Sequence, residues 1–387
     1  PRSAPVLYLD ATADSVITEA HLPALEYHKI DVHQLAVVSQ VYDRTGSNSF
    51  WNSKIEDEQQ NLSEPIYNSQ HNDLSSLITI LNEWVKAGES PLLVAHKDLC
   101  EFLRGHPKLH EGVAVAHFSS LRGSNAYEDR SVIFITGRHQ PPLDDIERQA
   151  RSVFGNSGHP LSYDDLESLP LDQVDYWLSK RSPHSASAVM VPSFSDPRIE
   201  AVQKQIREAE TVQAIARLRL VWAKYQKRVF LLSNLPVEMP VDHLIEFNDL
   251  MPDKLEMELI NKGDLPLTPL GLEKMRPDLG YAGASSRKLF QSDRSKASDP
   301  KRLLTQLPDL VRTTTQIATF KAGDKRKTIH HHLFLPKDYS GSPTTSLYTP
   351  WTEAEVLAHL TTGWGEGAIS ELKLEYLYGP EPEVSGE

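Results

Sequence analysis

The sequence predicts an α/β fold, a parallel sheet flanked by helices and followed by a mostly α extension. Two observations lead there. Short, near-continuous Val/Ile/Leu runs alternate with helical patterns over the first 235 residues, the pattern of strands covered by helices on both faces. The alternation then stops after Asn234-Leu235-Pro236, and helical segments punctuated by Pro and Gly take over. With 39% hydrophobic and 24% charged residues over 387, the chain has the composition of a folded protein.

Taken in order, the expected strands are Val6 to Leu9, Leu35 to Val41, Pro91 to Ala95, Val113 to Ala116, Val132 to Thr136 and Val229 to Leu232. Helices are expected at Asp73 to Lys86, Lys97 to Arg104, Leu143 to Phe154 and Pro197 to Lys224. Residues 44 to 72 read as a polar loop, and about 155 to 196 as a Ser/Pro/His/Asp-rich insertion. The organisation expected is a first domain over 1–236, an extension over 237–345 and a helical C-terminal segment over 346–387. Within the extension, a Thr-rich strand pattern around Val311 to Phe320, a basic turn at Lys321 to Lys327 and a strand at Thr328 to Leu335 form a hairpin with a basic tip. Helices before such a hairpin are compatible with a winged-helix module. A last helix is introduced by Thr349-Pro350-Trp351-Thr352-Glu353, and a loose Pro/Glu-rich tail is expected after Gly379.

A formal charge of −13 argues against a protein that coats nucleic acid over its whole surface, yet leaves room for a local basic groove. One cysteine, Cys100, allows no intrachain disulfide, and a reducing, cytoplasmic setting is expected. No apolar run reaches the ~20 residues that cross a bilayer, so no membrane partner is expected. The chain lacks a signal-peptide pattern and an initiator methionine and opens almost on an apolar run, which suggests a piece of a longer protein.

Four segments carry the candidate chemistry. Leu9-Asp10-Ala11-Thr12-Ala13-Asp14 follows an apolar run; small hydroxyl residues there can switch hydrogen-bond partners, and the same residues also suit a helix N-cap. Leu92-Leu93-Val94-Ala95-His96-Lys97 is a buried strand ending in polar side chains. In Ala116 to Asp129, Gly123 permits close backbone approach, Ser124 and Asn125 can bond phosphates or sugars, and Arg122 adds charge-assisted contacts. A plain Gly-Ser-Asn turn is the simpler reading of that stretch. Last comes Glu210 to Arg219, where Gln213 and Arg217 fall four residues apart on one helix face.

In this order the segments resemble four parts of superfamily 2 helicases: the Ser/Asp-Ala-Thr coupling motif, the segment at the top of the second lobe's first strand, the fifth motif and the sixth motif. The resemblance covers about residues 6 to 232 and implies the second, RecA-like motor lobe of an ATP-dependent DNA (or RNA) helicase. It implies that Arg217, with Gln213 and Arg219, acts on the ATP γ-phosphate, since a guanidinium is permanently charged and grips phosphate oxygens in pairs. Asp10, Thr12 and Gly123 would couple the nucleotide cleft to the nucleic acid. Arg122, Ser124, Asn125, His96 and Lys97 would contact its backbone, and Lys321, Lys325, Arg326 and Lys327 would add phosphate contacts from the extension. Two departures stand out: Ala216 replaces the family glycine, and the second arginine falls at 219 rather than 220.

No Gly-x-x-x-x-Gly-Lys-Ser/Thr occurs, so the chain forms no P-loop. ATP and Mg2+ are then expected only in a full-length protein whose missing N-terminal lobe is a partner, the chain alone binding neither. The rival reading is a non-catalytic nucleic-acid-binding or assembly module of the same fold. Asp57-Glu58-Gln59-Gln60 imitates an Asp-Glu box but lies after the Asp-Ala-Thr segment with no strand before it, and reads as a solvated loop. His330-His331-His332 invites a metal, but neighbours on an extended segment face opposite ways and no ligand lies at zinc spacing. No metal is therefore expected. No Gly-x-Ser-x-Gly elbow supports serine hydrolysis.

Overall fold

In the computed structural model of the protein, the described residues are 7–8, 10, 12–22, 25–28, 30, 32–63, 73–121, 123–179, 188–281, 304, 306–322, 328–337 and 349–378. They divide into two compact units. The first comprises Pro1–Ser53, Pro91–His106 and Ala114–Glu246; the second comprises Lys54–Ser90, Pro107–Val113 and Phe247–Glu387.

The first unit is an α/β layer structure. Its strands are β1 (Ala36–Val41), β2 (Pro91–Ala95), β3 (Ala114–His117), β4 (Val132–Thr136), β5 (Leu171–Asp175), β6 (Ala188–Pro192), β7 (Lys227–Leu232) and β8 (His243–Ile245). Six of them make one sheet in the order β3-β2-β4-β7-β1-β8, with every pairing parallel. All five residues of β2 and of β4 are buried, so apolar side chains are needed on both faces there. Phe134 and Phe230, partners in register across β4 and β7, stack with ring centroids 4.6 Å apart. The helices are α1 (Ser15–His21), the start of α2 (Asn48–Ser63), α4 (Lys97–Arg104), α5 (Leu143–Phe154) and α6 (Pro197–Ala216). Ala214, Ile215 and Leu218 pack with Val38, Leu92, Val94, Ile133, Ile135, Val229 and Leu231 to form the core on one side of the sheet.

Several expectations are corrected. Leu7 and Tyr8 lie in no strand and are exposed, while Val6 and Leu9 fall outside the described residues. Residues 48 to 63, expected as loop, form α2: Ser47 Oγ accepts from Phe50 N, and Trp51 and Ile55, one turn apart, are buried. Glu58 is buried on the same helix, so the Asp57–Gln60 string is not a solvated loop. The helix expected to reach Lys224 ends at Ala216, because Arg219 adopts a left-handed φ of 54° and a 3-10 turn, Leu220–Trp222, follows. The insertion contains an antiparallel pair, β5 with β6. The first unit also runs beyond residue 236. Strand β8 extends the sheet next to β1, and Asp242 both donates its N–H to Val38 O and accepts from Val38 N through its carboxylate.

In the second unit α3 (Asp73–Lys86), α7 (Phe247–Leu250), α8 (Lys254–Lys262), α9 (Pro269–Met275), α10 (Asp309–Thr314) and α11 (Glu353–Trp364) accompany β9 (Asp264–Pro266), β10 (Gln316–Ala322), β11 (Ile329–Phe334) and β12 (Ile369–Tyr376). The strands form a sheet in the order β12-β10-β11-β9, all antiparallel. The region is thus built on a sheet as much as on helices, unlike the mostly α extension expected. Ala318, Phe320, Ala322 and Phe334 meet Val356, Leu360 and Trp364 of α11; Leu265, Leu333 and Leu335 meet Leu255, Leu259, Leu272 and Val311. The Thr-rich stretch begins as α10 rather than strand, with Thr313, Thr314 and Thr315 hydroxyls donating to carbonyls four residues back. The hairpin of β10 and β11 forms as expected, but Lys325, Arg326 and Lys327 lie outside the described residues, as does the tail after Gly379. Helix α11 starts with a capping box of Thr352 and Glu355. Among the described residues no helix is long and apolar enough to cross a membrane.

Candidate functional site

The last turn of α6 sets the geometry of the candidate site. Its buried residues fix the helix on the sheet, and its exit carries Arg217 and Arg219 to the edge where β1 and β7 begin. Leu35 N donates to Leu220 O, and Lys227, the first residue of β7, donates from Nζ to Leu218 O at 2.7 Å. The same ammonium donates to Glu128 O at 2.6 Å, in the turn that leads into β4. Lys227 is 3% exposed, and burial lowers its pKa. One buried cation therefore ties the Ser124–Glu128 stretch to the Arg217–Leu220 stretch.

On that frame three of the four segments meet. Arg217 Nη1 donates to Ser124 O at 3.3 Å, the Arg219 guanidinium to Asn125 Oδ1, and Gln213 Nε2 to Thr12 Oγ1 at 3.1 Å. Arg217 is half-buried and its Nε is buried without a hydrogen-bond partner. No carboxylate of the described residues forms an ion pair with it. Asp10 accepts from Thr12 N at 2.8 Å, from Thr12 Oγ1 and from Tyr8 OH, and the Thr12 backbone bond leads in holding its carboxyl below the usual range. Gly123 has a φ of +70° with nothing within 4 Å of where a Cβ would stand, so the backbone there is open to close approach. Arg122 lies outside the described residues.

His96 and Lys97 are elsewhere, at the carboxyl end of β2. Burial lowers the His96 pKa, and its Nε2 is buried without a partner; a Cβ on Gly137 would stand 2.7 Å from it. Lys97 is exposed and pairs with Glu101 at 3.6 Å. The sequence places Gly123 to Asn125 and Arg217 on one rim, and Arg217 does meet Ser124; that rim is not the carboxyl edge where ligands of such sheets gather. Arg217, Arg219 and Asn125 occupy the amino edge, because a helix returning antiparallel to the strands ends there. Lys321, in the second unit, lies on β10 with Nζ 2.6 Å from Glu371 Oε2.

Sequence reasoning missed Lys227, a lone cation opening an apolar run, which is the signal that could have found it. It also missed Trp222 and Tyr225, exposed by 80% and 51% beside Arg219. The histidine run alternates as expected: His330 and His332 are each 1% exposed, and His331 faces the other way, toward Thr319. No family model, curated protein or solved structure matches the chain.

Proposed function

We propose that the first unit is the second, RecA-like lobe of an ATP-dependent nucleic-acid helicase or translocase of the superfamily 2 type. The observation that carries this reading is Arg217. It is a half-buried guanidinium held to an uncharged carbonyl, with no acidic partner among the described residues, at the meeting point of three helicase-like segments. A cation placed this way has charge to offer an incoming phosphate. The sequence carries no Gly-x-x-x-x-Gly-Lys-Ser/Thr, so ATP and Mg2+ would be held by a separate P-loop lobe, with Arg217 reaching its γ-phosphate. Arg219, Asn125 and Ser124, with the exposed rings of Trp222 and Tyr225, offer polar contacts to a nucleic-acid backbone and stacking surface to its bases. In the second unit, the hairpin with its basic tip would add phosphate contacts as the wing of a winged-helix-like module binding DNA.

The test restores a P-loop lobe upstream and measures nucleic-acid-stimulated ATP turnover. Arg217→Ala is expected to lower kcat by about 10³-fold or more, whereas Lys97→Ala leaves kcat near that of the parent. Turnover in the Arg217 variant equal to the parent's removes the arginine-finger role. Nucleic-acid binding without any turnover in the restored protein would identify a non-catalytic binding module instead.

A further inference from the structure

The second unit brings two imidazoles and a carboxylate to one point. Asp264 opens β9 directly after Gly263, whose left-handed φ of 86° ends α8. In register Asp264 lies opposite Phe334, and His332 lies two residues earlier on β11, on the same face of the sheet. That face is covered by α11, which delivers His359 from above. His332 Nε2 is 2.7 Å and His359 Nε2 3.2 Å from the same atom, Asp264 Oδ2, and the three ligand atoms all lie within 4.8 Å of one another. The two imidazole planes stand at 89° with ring centroids 5.8 Å apart, so the rings do not stack on each other.

We propose that Asp264, His332 and His359 form a binding site for a single Zn2+-class divalent transition-metal ion. The donor set selects the class: two imidazoles with one carboxylate suit zinc and its first-row neighbours, whereas Mg2+ and Ca2+ call for oxygen alone. The separations fit as well. Bonds of about 2.0–2.2 Å in a tetrahedron put ligand atoms roughly 3.4 Å apart, so the observed 2.7 and 3.2 Å need to open by less than an ångström, while the two imidazole nitrogens, within 4.8 Å of each other, would draw together around the ion. Three separate elements supply the ligands, and aromatic packing fixes both rings: His332 stacks on Phe334 at 4.6 Å, and His359 contacts Phe334 and Trp351. The His332 side chain is 1% exposed and that of His359 31%, so a water completing the tetrahedron would enter beside His359. His332 Nδ1 is buried with no acceptor. Metal-bound imidazoles ordinarily donate from that second nitrogen, and its lack of a partner weakens the site by about 10–100-fold relative to one with a full outer shell. This inference is independent of the helicase reading, because none of its residues belongs to the first unit.

The experiment uses the full chain, stripped with EDTA and titrated with Zn2+ by calorimetry and by competition with a chromophoric chelator. Co2+ serves as a spectroscopic probe of tetrahedral geometry. One equivalent should bind, raise the melting temperature of the second unit, and give the Co2+ ligand-field band. His359→Ala should weaken binding at least tenfold, and His331→Ala, on the opposite face, should leave it unchanged. His359→Gln keeps a hydrogen-bond donor toward Asp264 and so preserves the fold while losing the imidazole; it should behave as His359→Ala does. No binding by the parent, or parental affinity in both His359 variants, overturns the site and leaves a buried Asp–His hydrogen-bond network.

Discussion

Replacing Lys227 with Met tests whether one buried ammonium holds the two candidate segments together. The side chain keeps its length and apolar stem but loses two hydrogen bonds, 2.6 Å to Glu128 O and 2.7 Å to Leu218 O. Bonds from a charged donor contribute about 1.5–3 kcal/mol each, and the stranded Leu218 carbonyl stays buried. Against that loss stands the desolvation of the ammonium, which the variant no longer suffers. A net loss of about 2–4 kcal/mol follows. In a unit of roughly 200 residues, 1 kcal/mol moves the melting temperature by about 2–4 °C, so the first unit's transition should fall by about 5–15 °C. Differential scanning calorimetry reads it, with the exposed Lys224→Met as the control for charge alone. A Lys227→Met transition within 2 °C of the parent would mean that the segments are held by other contacts.

Three further outcomes are expected. Glu83 on α3 is 1% exposed, and burial lifts its pKa to about 7 despite Lys86 at 2.7 Å. Between about pH 4.5 and 7 the folded chain holds a proton that the unfolded chain has released, so its contribution falls as pH rises. Glu83→Gln should therefore change stability little at pH 5 and gain on the order of 2 kcal/mol at pH 8, read by urea unfolding at both values; equal effects at both would refute the shift. Gly137→Ala meets both a φ of +76° and a Cβ 2.6 Å from Gly46 O, so it should lose more than the ~1–3 kcal/mol of backbone strain alone, whereas Gly88→Ala, at φ +82° in open space, should lose only that strain. In a salt titration of DNA binding, Lys325, Arg326 and Lys327 changed together to Ala should flatten the log–log slope by up to about 2.7. Lys321→Ala should hardly alter it, because Glu371 already neutralises that lysine; superimposable curves for the triple variant would leave the turn as plain surface.

The first unit was legible where burial on both faces left a dense apolar signature. The bounds expected for β2, α4 and α5, and for α3 in the second unit, match the observed ones residue for residue. Short edge elements were not legible: β8 and β9 have three residues each, too few for a period to register. Helix α2 was misread because its polar composition hides the buried anchors Trp51 and Ile55. Strand β12 did carry an alternating pattern, Glu371-Leu372-Lys373-Leu374-Glu375-Tyr376, that could have been read. The candidate site depends on pairs 93, 94 and 201 residues apart, which no local spacing encodes. Only the order of the segments pointed to their meeting. The Asp264 cluster joins residues 68 and 95 apart and left no trace in the histidine run itself.

Under the proposed function, which edge of the sheet would meet a ligand follows from how each edge is packed. At the carboxyl ends of β4 and β7 the backbone closes on itself: Gly46 and Gly137 approach so closely that a Cβ on Gly46 would stand 2.9 Å from Gly137 N, and His96 fills the space alongside. The amino edge is built the other way. Leu218 and Leu220 are buried as anchors on either side of Arg219, whose left-handed backbone turns its side chain outward. Arg217 is half-buried two residues earlier, and Lys227 pins both neighbouring carbonyl segments from beneath. A guanidinium held at its base loses less conformational freedom when it meets a phosphate than one on a mobile stem. Under the proposed function this rim is therefore the face that a P-loop lobe would close upon. Loosening Lys227 should then reduce ATP turnover in the restored protein without touching the arginine itself.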